Sequence, residues 1–113
     1  MRGFGLTVEE LPEDMVRVAL RGELDLEHAY LFEEELRRVE AREPAGLVLD
    51  LRQLRFVDAC ALARLLAVRA RARRAGRRLL LVRGSKAVQR LLALTGVADL
   101  FETVDDVPRH LVG

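Results

Sequence analysis

At 113 residues, half apolar and a third charged, the chain has the size and make-up of a globular domain and not of a disordered or collagen-like segment. Its formal net charge is only +1, but residues 1–50 hold 6 basic and 13 acidic side chains and residues 51–113 hold 13 and 5, so the halves carry opposite charge along the sequence. No apolar run approaches the roughly 20 residues that span a bilayer. Residues 1–11 show neither a cationic lead nor an apolar signal core, and the lone Cys60 can form no internal disulfide or thiolate zinc cage. The expectation is a single cytoplasmic domain over residues 1–113, held together by packing and not inserted in a membrane.

Phe4, Leu6 and Val8 alternate with Gly5, Thr7 and Glu9, and after Pro12 a second alternation sets Val16, Val18 and Leu20 against Arg17, Ala19 and Arg21. Period two with a proline-led turn predicts a hairpin with one wet face. From Leu26 the period changes. Ala29, Phe32, Leu36 and Val39 form a helical stripe, with Glu33/Arg37 and Glu34/Arg38 paired at i, i+4 on the exposed side, until Pro44-Ala45-Gly46 stops it. Leu47 to Leu51 is short and nearly all apolar, as for a strand covered on both faces.

A second helix follows, with Ala61, Leu65, Val68 and Ala72 on one side, Arg64, Arg71 and Arg74 on the other, and Gly76 placed to end it. Leu79 to Val82 is another covered strand. Ser85 caps a third helix with the stripe Val88, Leu91, Leu92 and Thr95, ended by Gly96. A last strand over Phe101 to Val104 and a short helix from Val107 complete the pattern. Strands alternating with helices predict an α/β fold: a mixed, mostly parallel sheet of four to five strands with an N-terminal hairpin, packed by about four helices. In such open sheets working residues gather at the carboxyl ends of the strands, which puts Asp25 and Asp58 on one edge.

Gly22-Glu23-Leu24-Asp25-Leu26, Leu47-Val48-Leu49-Asp50-Leu51, Asp58-Ala59-Cys60-Ala61 and the segment from Leu92 to Phe101, with Leu94-Thr95-Gly96 at its centre, stand in an order that resembles the STAS domain family of bacterial anti-sigma-factor antagonists. The resemblance covers nearly the whole chain. It implies a non-catalytic module that docks on an anti-sigma factor with a kinase-like ATP-binding fold, through Asp25, Leu26, Asp58, Ala59, Cys60, Ala61 and Leu62. The family's loop reads Asp-Ser-Ser-Gly, and its second serine accepts a phosphate, whose charge beside acidic residues expels the partner. Cys60 stands at that position and Ala59 replaces the first serine, so this loop offers no hydroxyl. The implied protein is permanently competent or repurposed, with a weak homodimer left open.

Alternative readings of the same residues stay open. Asp25 and Asp58 also suit helix N-caps, each accepting an orphaned amide. Cys60 lies in the first turn of a helix, where the macrodipole favours an anion, but a lone cysteine is more often a small buried apolar residue. The ten basic residues from Arg64 to Arg90, uninterrupted by acid, raise nucleic-acid binding; no aromatic residue is interleaved with them, and a solvated face is the favoured reading. Gly84-Ser85-Lys86 lacks the order of a phosphate loop, and His28 and His110 lack metal-ligand spacing, so no enzyme, cofactor or metal is expected. The resemblance also implies a second class of role, a scaffold or accessory subunit of a stress-signalling assembly or of a transporter, including lipid transporters.

Overall fold

A computed structural model describes residues 3–109. The elements run β1 (Phe4–Leu11), β2 (Met15–Leu24), α1 (Ala29–Glu40), β3 (Gly46–Val57), α2 (Ala59–Ala75), β4 (Arg78–Val82), α3 (Lys86–Leu94), a single 3₁₀ turn (Ala98–Leu100) and β5 (Glu102–Val104). The sheet order is β1-β2-β3-β4-β5, with β1 antiparallel to β2 and all other pairs parallel. Strands laid down in sequence order and joined by right-handed crossovers must carry every connecting helix on the same face. The packing agrees: Phe32, Leu36, Leu65, Val68, Val88 and Leu92 from the three helices share one apolar core with Val18, Leu20, Leu47, Leu49 and Leu81.

The opposite face of the sheet holds a smaller apolar cluster, Leu11, Met15, Val48, Leu80, Val82 and Val107. Beside it lies the one buried charged residue of the described chain, Asp50. Its carboxylate accepts Arg17 Nε at 3.0 Å and Nη2 at 2.8 Å, Arg52 Nε at 2.9 Å and Nη2 at 2.7 Å, and the Arg52 amide at 3.1 Å. Burial pushes the Asp50 carboxyl up, but the hydrogen bonds from Arg52 and Arg17 outweigh it and hold the group below its usual value.

Strand β3 is longer than its apolar run. Pairing with β2 shifts between Ala19 and Arg21 and again between Gly22 and Glu23, so twelve residues of β3 lie against ten of β2. Each extra residue is a bulge that resets which side chain points inward. Leu51, Leu54 and Val57 therefore recur every third position and all reach the core.

The helix ends follow the expected chemistry at three places. Ser85 Oγ accepts the Val88 amide at 3.2 Å, Gly76 takes φ +66° after α2, and Gly96 takes φ +78° after α3. Three expectations need correction. The first helix begins at Ala29, not Leu26, because residues 26–28 form a turn. Three α-helices and a 3₁₀ turn stand where about four helices were expected; Val107 to Arg109 are irregular, and the rest of the proposed last helix lies outside the described residues. Thr95 is exposed and not part of the α3 stripe; its hydroxyl donates to the Leu91 carbonyl at 2.9 Å.

Candidate functional site at the strand ends

Strands β2 and β3 finish side by side, Leu24 opposite Val57, so the two junctions leading into α1 and α2 emerge together. Asp58 has an extended backbone, φ −113° and ψ −175°, which folds its carboxylate back over the first turn of α2. One oxygen accepts the Ala61 amide at 2.9 Å, and the other accepts the Leu26 amide across the gap at 2.9 Å. A single side chain thus caps one helix and clamps the neighbouring junction.

Asp25 does something different. It is not the N-cap of α1; that position is His28, which makes no side-chain cap. Asp25 instead closes the preceding turn, its Oδ1 accepting the His28 amide at 3.2 Å and lying 2.8 Å from His28 Nδ1. The His28 ring in turn lies 5.9 Å from that of Phe4 on the edge strand. The ligand atoms of Asp25, Glu27 and His28 fall within 4.8 Å of one another, which makes this turn the group best able to meet a cation among the described residues.

The residues expected to bind a partner separate into two sets. Leu26 is 72% exposed, Ala59 is exposed, and Asp25, Asp58 and Cys60 are half-buried. The side chains of Ala61 and Leu62, by contrast, are in the core, where Ala61 carries no exposed area at all. Helical geometry explains this: both lie on the stripe that faces the sheet, and Ala61 is one turn before Leu65. Two exposed apolar side chains adjoining these junctions had no role in the sequence reading: Tyr30, 77% exposed in the first turn of α1, and Phe56, two residues before Asp58. The signal in the sequence was their position, apolar residues off the inward stripe beside an exposed loop.

Most of the arginine-rich segment is the solvated face expected of it: Arg64, Arg73, Arg74, Arg78, Arg83, Lys86 and Arg90 are exposed, and Arg71 is the main exception. Arg71 is largely enclosed between α1 and α2, with Nη2 2.6 Å from Glu33 Oε1 and Nε 3.0 Å from Glu40 Oε1. Burial would lower its affinity for the proton, but the two carboxylates outweigh that and raise the pKa. Arg64 meets Glu33, Arg78 meets Glu102 and Arg83 meets Asp105, while Arg69 and Arg77 donate to the carbonyls of Leu100 and Pro44. Glu33 and Glu40, which meet Arg64 and Arg71, come from the acidic first half of the chain. These pairs cancel part of the charge asymmetry along the sequence.

The chain is thus an α/β domain with an open mixed sheet, its helices on one face, and an aspartate-capped helix start clamped to the neighbouring strand end. The chain belongs to the STAS domain family, whose model matches residues 6–109. Its fold is that of an anti-sigma factor antagonist from Mycobacterium paratuberculosis, with TM-score 0.80 at 24% identity over 93% of this chain and 88% of that one. It is also similar to the Bacillus cell-fate determinant SpoIIAA in its phosphorylated form, with TM-score 0.68 at 15% identity over 88% and 91%. A sulfate transporter family protein from Wolinella succinogenes gives TM-score 0.75 at 18% identity over 88% and 83%. Curated protein sequences offer no match to the chain. Among the described residues no helix is long and apolar enough to cross a membrane.

Proposed function

We propose that this chain is a single-domain, non-enzymatic bacterial regulator that acts by protein–protein recognition, docking as an anti-sigma-factor antagonist does on an anti-sigma factor with a kinase-like ATP-binding fold. The contact surface is the exposed side chain of Leu26 with Ala59 and Cys60, flanked by Tyr30 and Phe56 and edged by Asp25 and Asp58. The observation that carries this reading is the Leu26 amide bonded to Asp58 at 2.9 Å. That bond fixes an exposed leucine against the start of α2 before any partner arrives, which lowers the ordering cost of binding. Ala61 and Leu62 support the surface from beneath.

Serine phosphorylation does not switch this docking, because Ala59 and Cys60 carry no hydroxyl. Incubation with the kinase-type partner and ATP should leave the mass of the parent chain unchanged. Cys60→Ser combined with Ala61→Gly rebuilds the family's hydroxyl at a helix start beside Asp58. With ATP this variant should gain one phosphate, and like-charge repulsion from Asp25 and Asp58 should then weaken its complex roughly 5- to 150-fold. A parent chain that gains phosphate at Ser85 or Thr95 would move the control site elsewhere. A second reading, an accessory domain of a transporter, is favoured by the likeness to the sulfate transporter family protein. Co-purification with a transporter subunit, and no affinity for the kinase-type partner, would select it.

A further inference from the structure

We propose that the helix-free face of the sheet carries a binding cleft for a small oxyanion, a phosphate or carboxylate group on a metabolite-sized molecule. At the end of the sheet nearest the junctions there is an open cleft of about 420 Å³ between β1, β2 and β3. Its floor is a row across three strands, Gly5 opposite Arg21 and Arg21 opposite Gln53, with Arg55 two residues further along β3. Among the described residues, every charged side chain lining it is an arginine, and no carboxylate does so. An arginine-lined concavity of this volume falls in the usual range for small-molecule sites, about 300–1,000 Å³.

The glycines make the cleft. A Cβ at Gly5 would lie 2.5 Å from Arg21 Nη2 and 2.6 Å from Cζ, so the guanidinium rests directly on the Gly5 backbone. Gly22, at φ +87°, allows equally close approach: a Cβ there would stand 2.0 Å from the Gly3 carbonyl oxygen. Side chains at these two positions would fill or distort the site.

Arg21 is the group that distinguishes this cleft from the rest of the face. Arg17, four residues earlier on the same strand, is spent on Asp50 and Glu9 at 2.8 and 3.1 Å. Arg21 meets no carboxylate among the described residues, although its planar fork is built for the paired oxygens of a carboxylate or phosphate. The Gln53 amide adds a neutral donor, and Arg55 lines the same cleft. Both strands then lead directly into Asp25 and Asp58, so an occupant would lie beneath the proposed docking loop on the opposite side of the sheet.

The test is an amide NMR titration of the full chain with inorganic phosphate, with citrate, and with sodium chloride at matched ionic strength. Saturable shifts should appear at the Gly5 and Gly22 amides and the Gln53 side-chain amide. Arg21→Gln should weaken binding about tenfold or more, the loss of a charge-assisted bidentate contact. Gly5→Ala, which keeps the charge but displaces the guanidinium, should also weaken it, and Arg74→Gln at the far end of α2 should not. Saturation by phosphate alone assigns a phosphoryl ligand, and saturation by citrate alone assigns a carboxylate. Shifts that sodium chloride reproduces, or an Arg21→Gln chain that keeps its native spectrum and titrates like the parent, would overturn the proposal.

Discussion

Strand β3 carries one aspartate within it and delivers a second just past its end, and the two are used in opposite ways. Asp50 is 3% exposed and receives both Arg17 and Arg52, so its charge is neutralised on the spot. Asp58 is half-exposed and bonds only to backbone amides, those of Ala61 and Leu26. Amides satisfy its oxygens without cancelling its charge. The first aspartate ties adjacent strands together; the second holds two chain junctions in register and leaves negative potential at the surface where a partner would meet Leu26. The residue type is the same, and the donor decides the role.

Removing the support common to both regions should have the largest effect. Leu65 is fully buried at the centre of α2, and Leu65→Ala should cost about 2 to 5 kcal/mol in denaturant unfolding. An unchanged midpoint would mean that α2 does not pack as described. Asp50→Asn comes next, at about 2 to 4 kcal/mol, below the usual figure for breaking a buried pair because both guanidiniums keep contact with water. The pH dependence reports on Asp50. Because Asp50 titrates below its usual value in the folded state, its contribution is fully present above about pH 4 and is lost as pH falls through the lower folded value. The Asn variant should lose that part of the acid slope, and a parental slope in the variant would assign acid sensitivity elsewhere.

Asp58→Ala should cost about 2 kcal/mol, one cap and one clamp, and should speed hydrogen exchange at both the Ala61 and Leu26 amides. Faster exchange at Ala61 alone would mean that the clamp to Leu26 is not made in solution. Asp25→Ala should be the mildest, about 1 kcal/mol or less, with exchange changed at His28 and not at Ala61.

Much of this arrangement is legible in the amino-acid order. The stripes of α1 and α2, the covered run Leu47 to Leu51, the Ser85 cap and the closing glycines all follow from period and capping chemistry, and the core confirms those stripes through Phe32, Leu36, Leu65 and Val68. The continuation of β3 from Arg52 to Val57 was not legible, because two bulges break the alternation on which a strand is recognised. Asp25 and Asp58 look alike in sequence, each following a strand and preceding a helix. Which of them caps depends on the backbone that follows: α2 starts at once after Asp58, while a full turn intervenes after Asp25. The reach of Asp58 to Leu26, 32 residues away, is a tertiary contact with no local signature. Arg71 was misread for the same reason, since its partners Glu33 and Glu40 lie 31 or more residues earlier.

The central claim, that the clamped junction at Leu26 is the docking surface, has a matched control within the same molecule. Leu26 is 72% exposed and Leu94, at the end of α3, is 74% exposed, so a charge at either should disturb folding equally little. The direct measurement is the affinity of Leu26→Asp and Leu94→Asp for an anti-sigma factor with a kinase-like fold, compared with the parent chain. The expected result is a loss of about tenfold or more for Leu26→Asp, as for a truncated apolar anchor, with Leu94→Asp unchanged. Equal affinities for all three chains, or a loss confined to Leu94→Asp, would contradict it.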